Sequence, residues 1–171
     1  MLKIVVVSDT HWQAGRQLPK VLELAAGERP GLILHAGDWT DLALLAELKK
    51  IAPVQAVAGN CDNESVSGAL GYSRIVQAEG VRLGLTHGHL YAGLAAPRSA
   101  RRTFMDDAGQ PLVQAVVFGH SHVPYNQVED GVLLFNPGSA VRPLGEVKRP
   151  SYGVLQVDGD KIAGKIVYFD K

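Results

Sequence analysis

A single cysteine, Cys61, stands among 171 residues, so no internal disulfide can form. Neither sign of charge is in excess: 17 Lys+Arg balance 17 Asp+Glu. That argues against a nucleic-acid binder working through a broadly basic surface. No apolar run approaches the roughly 18 residues of a membrane helix. No charged segment followed by an apolar stretch precedes the first strand pattern, which begins at Leu2. Repeats, low-complexity tracts and linkers are also missing, so one domain over residues 1–171 is expected. Together these absences point to a soluble cytoplasmic protein. What the chain does have is apolar bulk, 46% hydrophobic residues, enough for a globular core.

The apolar runs are ordered. Residues 2–7 and 32–35 read as buried strands and 54–58 as a third. Helical spacing covers 18–26, which Gly27 stops, and 41–51, with Thr40 or Asp41 as cap. This βαβαβ order predicts a parallel sheet covered by helices. Later the pattern changes to hairpins. Residues 74–78 and 81–85 flank Glu79-Gly80, 127–128 and 132–135 flank Asp130-Gly131, and 152–157 and 161–169 flank Asp158-Gly159-Asp160. A helix is expected over 98–108 and a strand over 115–118. The expected fold is α/β: two stacked mixed β-sheets flanked by helices, a four-layer α/β/β/α sandwich, with antiparallel strands in the second half.

Chemistry-bearing residues gather where strand patterns end. "SDTH" brings Asp9 and His11, "AGD" brings Asp38, and "AGNCD" brings Asn60, Cys61 and Asp62. "THGH" brings His87 and His89, and "GHSH" brings His120 and His122. Open α/β sheets bind ligands outside the C-terminal ends of their strands. Five such clusters are therefore expected to converge. On an extended segment the two ligands of Asp9-x-His11 would point to one side, as would those of His120-x-His122. Gly37, Gly59, Gly88 and Gly119 would permit sharp turns and close backbone approach. Four histidines, two aspartates and an asparagine exceed one tetrahedral centre. They suit two metals roughly 3.5–4 Å apart with one shared carboxylate. Oxygen and imidazole donors without thiolate fit Mn, Fe, Ni or Zn better than Mg or Ca alone; among these Mn is the first expectation.

Asp9-x-His11, Gly37-Asp38, Gly59-Asn60-x-Asp62, His87-Gly88-His89 and Gly119-His120-Ser121-His122 resemble the motifs of the calcineurin-like metallophosphoesterases. The short length and "NPGS" at 136–139 resemble its small YfcE-type phosphodiesterases. The resemblance spans residues 4 to 155 and carries these implications. Asp9, His11 and His122 hold one metal, Asp38 bridges, and Asn60, His87 and His120 hold the second. The reaction is hydrolysis of a small phosphate ester, a nucleotide diester among the candidates, by a water between the metals. The alternative within the same fold is a catalytically weak, metal-binding interaction scaffold. A homo-oligomer, dimer or tetramer, is also implied.

Many members have histidine where this chain has Cys61. A thiol is a weaker general acid than imidazole near neutrality, so lower activity is expected, with His89 as partial compensation. Cys61 is read as a small supporting residue, not a nucleophile. Asp62 orients Cys61 or a water, or caps the helix that begins near Asn63. His35 is read as a packing or hydrogen-bonding residue behind the ligands. Asn136 to Ser139 form either a turn or a pocket wall. Trp12 and Trp39 either pack or stack on a nucleobase. Arg142 is read as a solvated loop residue, and Arg98, Arg101 and Arg102 as a basic face that borders the pocket mouth or faces solvent.

Overall fold

Ile4, Val5, Val6 and Val7 are all buried because the strand they form is covered on both faces. This strand, β1 (Leu2–Val7), sends Ile4 and Val6 into a core between two sheets and Val5 and Val7 under helices. In chain order the elements are β1, α1 (Lys20–Gly27), β2 (Leu32–His35), α2 (Ala43–Lys49), β3 (Val54–Ala56) and α3 (Glu64–Leu70). They continue as β4 (Ser73–Ala78), β5 (Val81–Thr86), α4 (Ala96–Thr103), β6 (Ala115–Val117), β7 (Tyr125–Glu129), β8 (Val132–Asn136), β9 (Ser151–Asp158) and β10 (Lys161–Tyr168). This is a computed structural model and describes residues 1–170.

The first sheet runs β10-β9-β1-β2-β3 and the second β4-β5-β6-β8-β7. Leu34, Val6, Leu83, Leu85, Val117 and Phe135 fill the space between them. Val21, Leu22 and Ala25 of α1 and Leu44 and Leu48 of α2 cover the first sheet. Ala96 and Ala100 of α4, with Phe104, cover the second. The expected four-layer α/β/β/α sandwich is therefore present. No helix among the described residues is long and apolar enough to cross a membrane.

Three expectations shift. The second half is mixed: β5–β6 and β6–β8 pair in parallel, while the hairpin β9–β10 returns to the first sheet beside β1. Hairpin turns are local and readable, but the sheet each hairpin joins depends on distant partners. The helix expected over 98–108 spans Ala96–Thr103. Phe104 leaves helical geometry and buries its ring under the second sheet. Asp106 Oδ1 then accepts from Ala108 and Gln110 N–H, closing a turn. The helix expected over 41–51 shortens to Ala43–Lys49, where Asp41 Oδ1 accepts from Ala43 N–H.

The consequence for the site is directional. β1, β2 and β3 are parallel in one sheet, and β5, β6 and β8 are parallel in the other. The C-terminal ends of both trios meet at one end of the sandwich.

Candidate metal centre

One atom each of Asp9, His11, Asp38 and His122 lie within 4.8 Å of one another. His122 Nε2 is 3.2 Å and His87 Nε2 3.9 Å from Asp9 Oδ1. His87 Nε2 is also 3.3 Å from Asp38 Oδ1, and His11 Nε2 is 3.7 Å from Asp38 Oδ2. Asn60 and His120 complete the far side, where His120 Nδ1 meets Asn60 Oδ1 at 2.8 Å. The His87 and His120 rings are 5.2 Å apart. All seven expected metal-site residues thus gather at one end of the sandwich.

Backbone geometry is where the extended reading fails. Asp9, His11, Asp38, His120 and His122 all have positive φ, from 41° to 70°. Such conformations are uncommon outside glycine and cluster at functional sites. Two neighbouring segments support each other: Asp9 N–H donates to Gly37 O, His11 N–H to Asp38 O, and Trp12 N–H to Trp39 O, each at 3.0 Å. Gly59 and Gly119 allow the close approach. A Cβ on Gly59 would fall 2.1 Å from Asp38 Oδ1, and one on Gly119 would fall 1.9 Å from Ser8 Oγ.

Side-chain partners fix the imidazoles. His87 Nδ1 faces the Ala36 carbonyl at 2.7 Å, and His122 Nδ1 faces the Arg142 carbonyl at 2.7 Å. A carbonyl only accepts, so both Nδ1 atoms carry the proton and both Nε2 atoms face the cluster. Arg142, exposed as a side chain, thereby acts through its backbone. Burial lowers the pKa of His11, with Asp38 and Asp9 opposing. Burial likewise lowers His89 and His120, reinforced by charge on His87. Burial opposes charge on His87, but the Asp38 and Asp9 carboxylates outweigh it and raise its pKa. The Asp9 contact raises His122. Burial resists ionisation of Asp38, yet His87 and the Cys61 N–H hold it well below the usual carboxylate range.

The residues fit a cation. Asp9 Oδ1, His11 Nε2 and His87 Nε2 are buried without a hydrogen-bond partner. Orphaned buried polar atoms are costly. Three of them converging, with oxygen and imidazole as the donor types, describe a divalent metal site.

Cys61 is exposed and free. Although the residue is exposed, partial desolvation of its thiol, then Asp38 beside it, pushes its pKa up to about 11. A thiol held protonated is a poor nucleophile. Its strongest link is backbone: Cys61 N–H donates to Asp38 Oδ1 at 2.9 Å. Asp62 does not cap α3; Asn63 does, accepting from Val66 N–H. Asp62 instead accepts from Gly59, Asp38, Trp39 and Thr40 N–H at 2.7, 3.0, 2.8 and 2.9 Å. It ties the third ligand loop to the second. His89 lies beside His87 and His120, ring centroids 5.4 and 6.1 Å away, and its Nδ1 is buried without a partner.

His35 packs behind the ligands, stacked on Trp39 at 3.5 Å, with Thr10 Oγ1 3.0 Å from Nε2. Trp39 is 0% exposed and donates to Val57 O, which rules out nucleobase stacking by that ring. "NPGS" is more than a turn or a wall. Ser139 Oγ donates to Asp9 O, and Asn136 Nδ2 donates to Gly119 O, so the segment braces two ligand loops. Its four-residue composition signals a turn; nothing local in it reveals partners 130 and 17 residues away.

A family model described as the calcineurin-like phosphoesterase superfamily domain matches residues 2–160. A probable metallophosphoesterase of Methanothermobacter thermautotrophicus is 33% identical over 165 residues, covering 96% of this chain and 91% of that protein. Phosphodiesterase YfcE of Escherichia coli strain K12 is 30% identical over 180 residues, covering 92% and 89%. Among solved structures, wild-type Vps29 complexed with Zn²⁺ from Entamoeba histolytica superposes with a TM-score of 0.74 at 21% identity, covering 99% of this chain and all of that one. That last likeness speaks to fold alone.

Proposed function

Because the chain belongs to the calcineurin-like phosphoesterase superfamily, we propose that its metal centre hydrolyses small phosphate esters, diesters in preference to monoesters. The observation that supports this reading is that Asp9 Oδ1 and His11 Nε2 of the Asp9–His11–Asp38–His122 cluster, and His87 Nε2 beside it, are all buried without a hydrogen-bond partner. In this reading Asp9, His11 and His122 would hold one divalent ion, Asn60, His87 and His120 would hold a second, and Asp38 would serve both. Mn²⁺ is the first choice for both. When bound, the ions would polarise the phosphoryl oxygens and acidify a water. The chain's own part is positioning. His87 and His122 are held in one tautomer by backbone carbonyls, and Asp38 is kept ionised. His89, which lies beside His87 and His120, would contact the ester's phosphate or leaving oxygen. Cys61 supplies a backbone N–H to Asp38 and takes no covalent part.

A second reading, an interaction scaffold that binds metal with little catalysis, draws support from Cys61, which stands where many members of the family have histidine. One assay separates the two. Metal-stripped protein is given bis-p-nitrophenyl phosphate with and without Mn²⁺, with p-nitrophenyl phosphate alongside. Metal-restored diester cleavage, abolished by Asp38→Ala and only partly reduced by Cys61→Ala, is the expected result. Mn²⁺ binding without turnover would instead select the scaffold. Complete loss in Cys61→Ala with metal retained would overturn the supporting role of that residue.

A further inference from the structure

Resting on the phosphoesterase reading, we infer that Tyr72 forms the wall that receives the ester's organic group, and that the substrate carries a planar aromatic substituent next to its phosphate. Of the two tryptophans that follow ligand clusters, Trp39 is sealed in the core and Trp12 is tied by its ring N–H to Gln17 O and packs against the same core. Tyr72 is different. The residue is 42% exposed. Its ring stands edge-on to His89, centroids 5.4 Å apart and planes at 76°. His89 in turn lies beside the rings of His87 and His120, centroids 5.4 and 6.1 Å away. Tyr72 is thus one ring removed from two expected metal ligands and still open to solvent.

The backbone keeps it there. Thr86 Oγ1 donates to Tyr72 O, fixing residue 72 beside the end of β5, just before His87. Ala58 N–H donates to Gly71 O at 2.7 Å, fixing residue 71 beside the end of β3, just before Gly59 and Asn60. Tyr72 is therefore anchored between two ligand loops. An exposed ring held this way is a stacking platform that needs no rearrangement on binding. Such a platform is tolerant of which aromatic it accepts, so an aryl group and a nucleobase are equally served.

Phenylphosphonate and methylphosphonate, neither of which can be hydrolysed as an ester, test the inference by calorimetric titration of Mn²⁺-loaded protein. The wild type is expected to bind the phenyl compound about tenfold more tightly. Tyr72→Phe retains that preference. Tyr72→Ala loses it while methylphosphonate affinity and Mn²⁺ content hold, since both anchoring contacts use backbone atoms of residues 71 and 72. Should the alanine variant not fold, Tyr72→Leu is expected to lose most of the same preference. A phenyl preference that survives both variants would overturn the assignment of Tyr72 alone. Binding of neither phosphonate by the Mn²⁺-loaded wild type would overturn the phosphoesterase reading and this inference together.

Discussion

Glu79 and Asp130 stand at the hairpin end of the sandwich with φ of 49° and 47°. Asp9, His11, Asp38, Thr40, His120 and His122 stand at the opposite end with φ between 41° and 72°. The backbone conformation is the same, but its cause differs. Each hairpin residue precedes a glycine in a tight, exposed turn that favours left-handed geometry. At the ligand end the conformation is imposed from a distance. Asp62 accepts four backbone N–H groups from the adjoining loops, and Ser139 grips the Asp9 carbonyl. Left-handed backbone outside glycine costs of order 1–3 kcal/mol per residue. Turns tolerate that by local sequence. A ligand site tolerates it only if buried hydrogen bonds over-determine the geometry.

Breaking the strongest of those bonds gives the largest expected effect. In Asp62→Asn one carboxylate oxygen becomes an NH₂ group, which would face two backbone donors. Loss of two charge-assisted bonds and the new donor–donor clash are expected to cost about 3 kcal/mol. Mn²⁺ affinity should fall about 10–100-fold, the range for groups that orient metal ligands. Urea unfolding and Mn²⁺ titration check both. Unchanged stability would mean that the ligand end is held by something other than Asp62. Ser139→Ala comes next. Its buried hydroxyl donates to Asp9 O and accepts from Arg142 N–H, so about 1–2 kcal/mol should be lost, with a smaller drop in metal affinity.

Thr40 sharpens the contrast with the hairpins. It is β-branched with φ of 72°, an outlier for its type. Thr40→Gly relieves roughly 1–2 kcal/mol of left-handed strain and costs about 0.5–1 kcal/mol in unfolded-state entropy. The net expectation is a gain of about 0.5–1 kcal/mol, read as a higher urea midpoint. Asp130→Gly should gain nothing, because it also removes the 2.7 Å ion pair to Arg101. Equal responses at the two positions would erase the distinction between imposed and local strain.

The same division explains what the sequence could reveal. Hairpin turns were readable because Glu79-Gly80 and Asp130-Gly131 carry their geometry in two residues. β1 was readable because a strand buried on both faces must be apolar throughout. The residues of the candidate metal centre are readable as types, oxygen and imidazole at strand ends. Their posture is not: alternation predicts extended Asp-x-His, whereas contacts between the 9–12 and 37–39 segments force both residues left-handed. Asp62 precedes a helix and so reads as a cap or as a support for Cys61 or a water; only the fold brings the N–H groups of residues 38–40 within its reach. The hairpin β9–β10 was visible as a hairpin, yet its place beside β1 depends on a register spanning most of the chain.

The smallest effect lies at the start of β1, away from the ligands. There Glu28 accepts from Lys3 Nζ at 3.1 Å and from Tyr152 OH at 3.0 Å. Burial opposes its charge, but Lys3 and Tyr152 outweigh that and hold its pKa below the ordinary 4.5. Burial, with Glu28 next, pushes the Tyr152 hydroxyl up to about 12, so that group stays a donor through the neutral range. A carboxylate with a depressed folded pKa contributes stability that is full above its unfolded pKa. The contribution disappears as pH falls through the lower, folded value. Wild type should therefore exceed Glu28→Gln by under about 1 kcal/mol at pH 7, the scale of a partly exposed pair. The gap should close on acidification below pH 4.5. Thermal melts of both proteins across that range read the difference directly. A gap that persists at acid pH would assign the effect to the shape of the side chain and its hydrogen bonds, and remove ionisation from this end of the molecule.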